Sequence, residues 1–196
     1  MRIRVKKFMA WAFQKIRIYK HEILSDNLNV LGFPLIMQPT IFAGKGKIKF
    51  GEQVKIGFYP SPFFYSGSTY LEARNHLATI DIGNNVFINN NFNVICDKTS
   101  VLIGDNVLIG YSVNILDSDF HSVNPINRIT ENYNVSEVVI GNNVFIGSCV
   151  TILKGVRIGD NSVIAFGSVV TKSFPENVII AGNPAKLISI ISNEVF

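Results

Sequence analysis

Residues 140–175 repeat with a period of six. An aliphatic side chain occupies every sixth position, at Ile140, Ile146, Ile152, Ile158, Ile164 and Val170. A second, mostly small residue follows four places later in each unit: Val144, Val150, Val156, Ser162 and Ser168, with Phe174 ending the series. A helix has a period of 3.6, and Gly-Asn-Asn or Gly-Asp-Asn segments interrupt a plain strand. Because Gly, Asn and Asp tolerate the left-handed backbone of sharp corners, the pattern predicts short strands joined by corners. Such a solenoid buries its coils against one another.

This stretch resembles the hexapeptide-repeat acyltransferases, whose fold is a left-handed parallel β-helix, a triangular prism of eighteen-residue coils. The handedness comes from the resemblance, since parallel crossovers are otherwise right-handed. The implied fold class is all-β: a left-handed parallel β-helix with a short N-terminal amphipathic helix and a C-terminal tail. We expect a basic amphipathic helix over 1–24, the β-helix acyltransferase domain over 25–188 and a tail over 189–196.

Two interruptions of the repeat mark loops. Repeats also begin at Ile82 and Ile103, but Val94 and Ile103 are nine residues apart, which places an insertion at Asp97–Thr99. Ile115 and Ile140 are twenty-five residues apart, so a polar excursion occupies 117–137. Long loops on a rigid scaffold often carry function.

The positive charge of the chain is concentrated at its N-terminus. Seven of the 18 Lys and Arg residues precede the first acidic residue, Glu22, although the formal net charge is only +4. No nucleic-acid-binding motif accompanies them, and we expect no nucleic-acid partner. Residues 1–20 are too often interrupted by charge to span a membrane. Two interpretations stay open: peripheral contact with an anionic inner membrane surface, or packing on the solenoid or a neighbouring subunit. The expected location is cytoplasmic, with or without that contact.

The excursion opens with a candidate for acid–base chemistry, His121. Only three histidines occur, and His21 lies in the basic leader, which leaves His76 and His121. His121 has Asp117 and Asp119 within four residues. A carboxylate bonded to one ring nitrogen would leave the other free as a base. Either aspartate, or a backbone carbonyl, could fill that role.

The segments INNNFNVICD, IGDNVLIG and DSDFH resemble the maltose, galactoside and polysaccharide O-acetyltransferases of this superfamily. The resemblance implies that His121 is the general base. Of the possible orienters named above, Asp119 is the one that we assign to the catalytic site. The base deprotonates a sugar hydroxyl that attacks acetyl-CoA directly, without an acyl-enzyme. The resemblance also implies that Asn91 and Asp97 line the acceptor site. The alternative for Asn91 is a corner residue in an Asn-rich turn. Arg128 either binds an anionic acceptor or pairs with Glu131.

The same resemblance implies an acetyl-CoA site in a groove between subunits of a homotrimer. The implied cofactor-binding residues are Ser148, Phe166, Gly167, Thr171, Lys172 and Lys186, with no metal required. The two lysines would bind coenzyme A phosphates, or else be solvated surface residues. The large Phe166 stands where a small residue is usual, so the groove is narrower or the ring turns away.

Two other classes compete with a polysaccharide O-acetyltransferase. A carbonic-anhydrase-type enzyme needs three histidines on one metal, and only two lie outside the leader. A non-catalytic trimeric scaffold has no need of the DSDFH, VTK and AGNPAK segments. The two cysteines, Cys96 and Cys149, form neither a CxxC pair nor a disulfide framework. We expect Cys149 to be a reduced thiol at a coil surface.

Overall fold

The computed structural model describes residues 2–129 and 133–192, with side chains described from residue 5 onwards. In chain order its helix and strands are α1 (Arg2–Leu24), β1 (Val30–Leu31), β2 (Leu35–Ile36), β3 (Thr40–Ala43), β4 (Lys47–Phe50), β5 (Lys55–Ile56), β6 (Thr69–Ala73), β7 (Thr79–Ile82), β8 (Phe87–Ile88), β9 (Asn93–Cys96), β10 (Ser100–Ile103), β11 (Leu108–Ile109), β12 (Asn114–Leu116), β13 (Val138–Ile140), β14 (Phe145–Ile146), β15 (Thr151–Ile152), β16 (Arg157–Ile158), β17 (Val163–Ile164), β18 (Val169–Val170), β19 (Val178–Gly182) and β20 (Ala185–Ile190).

Three sheets form the faces of the prism. Sheet A has the order β1-β4-β7-β10-β13-β16, sheet B the order β2-β5-β8-β11-β14-β17-β19-β20, and sheet C the order β3-β6-β9-β12-β15-β18. Pairing is parallel throughout, apart from β19 with β20. The predicted left-handed parallel β-helix is confirmed.

The hexapeptide positions fill the interior. Along sheet A, Ile82, Ile103, Ile140 and Ile158 pair in register from coil to coil, and each is at most 3% exposed. Parallel stacks of aliphatic residues run behind sheets B and C. The core is therefore a column in which each side chain packs between its equivalents in the coils above and below.

The corners between sheets A and B are held by ladders of Asn and Asp side chains. The backbone N–H of Asn84 donates to Asp105 Oδ1, that of Asp105 to Asn142 Oδ1, and that of Asn142 to Asp160 Oδ1, over 2.6–2.9 Å. The next residue of each corner has a positive φ between 54° and 59°, at Asn85, Asn106, Asn143, Asn161 and Asn177. Asparagine tolerates this conformation better than most residues, which explains its use at these five turns. The corner between β4 and β5 has Gln53 in the same conformation, with a φ of 57°.

Both ends of the solenoid are closed by other elements. The predicted N-terminal helix is α1, which contacts β3. At the other end β20 turns back antiparallel on β19 and ends at Ile190, two residues into the predicted tail. The loops at 57–68 and 117–137 leave the prism without breaking its register.

Because Ile146 is fully buried and its neighbour Phe145 is 48% exposed, their truncations should differ in cost. We expect Ile146→Ala to lower the free energy of unfolding by about 2–5 kcal/mol and Phe145→Ala by about 1 kcal/mol or less. Equilibrium denaturation in urea measures both. Equal losses would contradict the inward placement of the hexapeptide isoleucines.

Candidate active site

His121 lies in the excursion that leaves sheet C after β12. The base of this loop is closed by its own returning strand, because Ser118 forms an antiparallel bridge with Val135 and the Asp119 N–H donates to the Asn134 carbonyl at 3.1 Å. A 3₁₀-helix over Pro125–Asn127 shapes the far side of the loop. These contacts hold His121 at the carboxyl-terminal edge of sheet C with its side chain exposed.

The imidazole of His121 is oriented by a backbone carbonyl. Its Nδ1 lies 3.1 Å from the carbonyl oxygen of Arg128. A carbonyl oxygen only accepts hydrogen bonds, so this contact assigns the proton to Nδ1. In the neutral ring Nε2 is then the unprotonated nitrogen, the arrangement that a general base needs.

Asp119 has a partner other than the predicted one. Its carboxylate pairs with Lys154, with Nζ and Oδ1 2.8 Å apart, while its backbone carbonyl accepts the N–H of His121 at 2.7 Å. Among the described residues, the acceptor that contacts the His121 ring is the backbone carbonyl of Arg128 and not a carboxylate. Of the three possible orienters, the structure therefore has the backbone carbonyl. The reason is the return path of the excursion, which places residue 128 beside the ring and turns Asp119 towards β15.

Asp117 organises the backbone of the neighbouring insertion. It is completely buried and accepts the N–H groups of residues 97, 98 and 99 at 2.8, 3.2 and 3.1 Å, together with the Thr99 hydroxyl at 2.9 Å. Hydrogen bonds of this kind compensate the cost of burying a carboxylate. Asp117 therefore fixes the 97–99 turn and is unavailable to His121.

Asp97, which the resemblance places in the acceptor site, is also buried. Its Oδ1 accepts from Asn75 Nδ2 at 2.9 Å, and its Oδ2 accepts from the Tyr133 hydroxyl at 2.6 Å. The hydrogen bond to Asp97 raises the pKa of Tyr133, which keeps the phenol protonated as a donor. Asp97 thus ties the excursion to the coil below it, and Tyr133 covers one side of its carboxylate.

A further group of polar residues lies on the outer face of sheet C beside this loop. Arg74 Nε donates to Glu72 Oε1 at 2.7 Å, and the Tyr70 hydroxyl donates to Glu72 Oε2 at 3.2 Å. The hydrogen bond to Glu72 raises the pKa of Arg74, and the Arg74 guanidinium stacks on the ring of Phe120, 4.9 Å from its centroid. Alternation at positions 70, 72 and 74 marks the outward face in the sequence, but the stacking on Phe120 depends on the tertiary fold.

The other predicted residues divide between the two ends of sheet C. At its amino-terminal corner, Asn91 Nδ2 donates to Ser112 Oγ at 3.0 Å, and Ser148 accepts the Gly167 N–H on its carbonyl at 2.9 Å. Phe166 at this corner is 66% exposed, with its ring 6.4 Å from that of Tyr111. The ring therefore turns outward. Of the two expectations for this large residue, a narrower groove or a ring turned away, the structure has the second.

Asp97, His121, Thr171 and Lys172 lie at the opposite, carboxyl-terminal edge of sheet C. Thr171 and Lys172 directly follow β18 and are exposed, and Lys172 Nζ lies 5.6 Å from the Phe174 ring centroid. Asn91 and Asp97 are six positions apart, about 20 Å at the rise of a strand, so one protomer does not bring the two groups together. Lys186 is exposed on β20. Arg128 is exposed, and its alternative partner Glu131 lies outside the described residues.

Metal ligation finds no support in the part of the chain that the structure describes. Among residues 2–129 and 133–192, no three His, Cys, Asp or Glu side chains lie close enough together to hold one ion. His21 is bonded to the carbonyl of Arg17 in the N-terminal helix, and His76 is exposed at a separate turn. The arrangement that a carbonic-anhydrase-type site requires is not formed by these histidines.

Comparison with known proteins places the chain in a family. Residues 137–172 match the family model described as bacterial transferase hexapeptide (six repeats). WbbJ of Escherichia coli K12, provisionally described as a lipopolysaccharide biosynthesis O-acetyl transferase, is 32% identical over 178 residues, which cover 82% of this chain and 80% of WbbJ. A solved galactoside acetyltransferase in complex with coenzyme A is 28% identical, with a TM-score of 0.53 over 95% of this chain and 79% of the other. The chain belongs to the hexapeptide-repeat acetyltransferases.

Other curated relatives are matched over a smaller share of their length. Galactoside O-acetyltransferase of Escherichia coli K12 is 44% identical over 116 residues, or 59% of this chain and 56% of that enzyme. With two further relatives included, the chain spans 50–60% of the length of these proteins.

The two cysteines should react very differently. Cys149 is exposed, whereas Cys96 is buried, and burial together with the nearby Asp117 carboxylate raises its pKa to about 12. Because the thiolate is the reactive form, we expect Ellman's reagent to modify one thiol rapidly in the native protein and two after denaturation. The Cys149→Ser variant should lose the rapid phase. Two rapid thiols in the native wild type would contradict the buried position of Cys96.

Proposed function

We propose that this protein is an acetyl-CoA-dependent O-acetyltransferase that acetylates a sugar hydroxyl of a cell-surface polysaccharide or its precursor. The observation that carries the proposal is the Nδ1 contact of His121 with the Arg128 carbonyl, which leaves Nε2 as the basic nitrogen on an exposed edge. Support for the donor comes from the coenzyme A complex of the galactoside acetyltransferase. Support for the acceptor class comes from the description of WbbJ.

The proposed reaction is a direct transfer. His121 Nε2 takes the proton of the acceptor hydroxyl as its oxygen attacks the thioester carbonyl carbon. The resulting oxyanion collapses, the carbon–sulfur bond breaks, and the imidazolium returns its proton to the coenzyme A thiolate. The Arg128 carbonyl stabilises the imidazolium because it accepts from Nδ1–H throughout. Asp119 acts indirectly in this scheme: its backbone carbonyl and its ion pair with Lys154 support the loop.

The proposed acceptor site lies at the same edge of sheet C. Arg128 is a candidate for an anionic group on the sugar. Asp97 is completely buried, so in this scheme it serves the acceptor site by holding Asn75 and Tyr133 and does not itself touch the sugar. Asp117 acts on this site from behind by holding residues 97–99.

We further propose that the active protein is a homotrimer with acetyl-CoA in a groove between protomers. The proposed cofactor residues Ser148, Phe166 and Gly167, together with Asn91, lie about 20 Å from the His121 edge within one chain. A groove formed by the amino-terminal corner of one protomer and the carboxyl-terminal edge of the next would unite them. Lys172 and Lys186 would then supply cations for the phosphates of coenzyme A.

The base is tested with His121→Ala, and His76→Ala serves as a matched control because it removes an exposed histidine elsewhere. Coenzyme A release from acetyl-CoA is measured with a panel of free sugars, sugar nucleotides and oligosaccharides. Acceptor-dependent release should fall by roughly 10²–10⁴-fold in His121→Ala and stay near wild type in His76→Ala. Unchanged release in a folded His121→Ala protein would refute the base. If the wild type neither bound nor cleaved acetyl-CoA, the non-catalytic scaffold would replace the enzyme.

The assembly is tested by sedimentation equilibrium. The chain has a mass of 21.8 kDa, and we expect a particle of three times that mass at the concentrations used for the assay. An active monomer would contradict the groove between protomers, because one chain separates the two halves of the proposed site.

A further inference from the structure

Helix α1 is held to the solenoid by its polar side chains. Gln14, only 6% exposed, donates from Nε2 to the carbonyls of Met37 and Phe64, both at 3.0 Å. Arg17 donates to the carbonyls of Phe64 at 3.2 Å and Gly67 at 2.7 Å, and burial lowers the pKa of Arg17. A surface helix usually buries its apolar stripe and exposes its polar one. In α1 the orientation is reversed.

Most of the large apolar residues of the helix consequently point away from the protein, while Ala10 and Ile18 are half-buried on the side of Gln14. We define the outward face of α1 as the six residues Val5, Phe8, Met9, Ile16, Tyr19 and Ile23. They recur at intervals of three, four or seven residues, apart from the adjacent Phe8 and Met9, and are 51–68% exposed. Exposed apolar side chains that lie together on one face of a helix are a feature of interaction sites.

The charges around the outward face are positive along the helix as far as its last turn. Lys6, Lys7, Lys15 and Lys20 are all exposed, and none of them takes part in an ion pair among the described residues. The first acidic residue of the chain is Glu22, in the last turn of the helix. The four lysines therefore place an excess of positive charge around the apolar residues, with Glu22 as the one acidic residue of the helix.

A cavity beside the helix also combines lysines with aromatic and aliphatic side chains. It has a volume of about 650 Å³ and lies between α1, β2 and the loop that contains Tyr59 and Tyr65. Its walls carry Lys6, Lys7 and Lys15 together with Trp11 and no acidic residue. Ammonium groups above aromatic and aliphatic walls suit a phosphate with an alkyl chain attached.

We propose that the outward face of α1 docks on an anionic phospholipid bilayer, with the helix lying in the plane of the interface. The helix has 23 residues, about 35 Å; no helix of residues 2–129 or 133–192 is both long and apolar enough to cross a membrane. Apolar burial and the attraction of lysines to anionic headgroups add in such an arrangement. Pairing two outward faces would bring like charges together, which disfavours a symmetric dimer through this face. In a trimer the face would meet a different surface of the neighbouring protomer, and the dependence on protein concentration described below tests that alternative.

Trp11 is the single tryptophan of the chain and reports on this contact without a label. It is 58% exposed and its ring lies 5.9 Å from that of Phe8. The full chain is titrated with phosphatidylcholine vesicles containing about 30% phosphatidylglycerol, and with pure phosphatidylcholine vesicles. Emission of Trp11 should shift to the blue, and the protein should float with the vesicles, only when phosphatidylglycerol is present. Acetyl-CoA is not needed, so the result is independent of the proposed reaction.

Two pairs of substitutions separate the contributions. Phe8→Ser with Ile16→Ser should lower the partition coefficient by about 100-fold or more, and Lys6→Gln with Lys20→Gln by roughly 30-fold. The matched control is Phe87→Ser with Leu108→Ser, which removes two exposed apolar residues from sheet B and should bind vesicles like wild type. Circular dichroism confirms that each variant is folded.

Three outcomes would overturn the proposal. The first is the absence of a shift with anionic vesicles at low salt. The second is an equal loss of vesicle binding in the sheet B control, which would indicate nonspecific hydrophobic adsorption. The third is a shift that depends on protein concentration and not on lipid, which would assign the outward face of α1 to a second copy of the chain.

Discussion

The structure depends on one geometric constraint, that every coil must return its inward side chains to the same positions. Ile140 and Ile158 pair in register eighteen residues apart, and Ile82 and Ile103 pair twenty-one apart. Ile103 and Ile140 pair across thirty-seven residues. The extra residues are therefore confined to the 97–99 turn and the 117–137 excursion, because adding them inside a strand would send a core residue outward. The corner ladders of Asn and Asp support this register by bonding each coil to the next.

The candidate site is formed where this constraint allows the chain to leave the regular coils, at the two insertions. Both insertions leave from the carboxyl-terminal edge of sheet C, on adjacent coils, so they meet. Asp117 at the root of the excursion bonds the 97–99 backbone, and Asp97 in that turn bonds Tyr133 from the far end of the excursion. These two buried carboxylates lock the loops to each other. His121 can then be exposed to reactants and yet held in position, with its ring fixed by a backbone contact that needs no further side chain.

How much the sequence predicts depends on the range of the interactions. The period of six predicts the fold, the stacks of inward side chains and the positions of both insertions, because each of these follows from local spacing in the sequence. The partner of His121 does not follow in this way: Asp119 is two residues away in sequence, but the carbonyl of Arg128 reaches the ring only because the excursion folds back. The burial of Asp97 has the same origin, since Asn75 and Tyr133 come from different coils. The division of the other site residues between two ends of sheet C could be read from the repeat, because Asn91 precedes β9 and Asp97 follows it.

The orientation of α1 is explained by the hydrogen-bonding needs of the solenoid end that the helix covers. The first coil and the 57–68 loop present backbone carbonyls of irregular segments, those of Met37, Phe64 and Gly67, and such groups require donors when they are covered. Gln14 and Arg17 supply them, four hydrogen bonds from two side chains. An apolar face in their place would leave those carbonyls unsatisfied, at roughly 1–3 kcal/mol each. Once the polar side of the helix is committed inward, its apolar side has no surface left to cover within the described chain. Any partner of that face therefore comes from outside the protomer, and the lysines around it favour an anionic one.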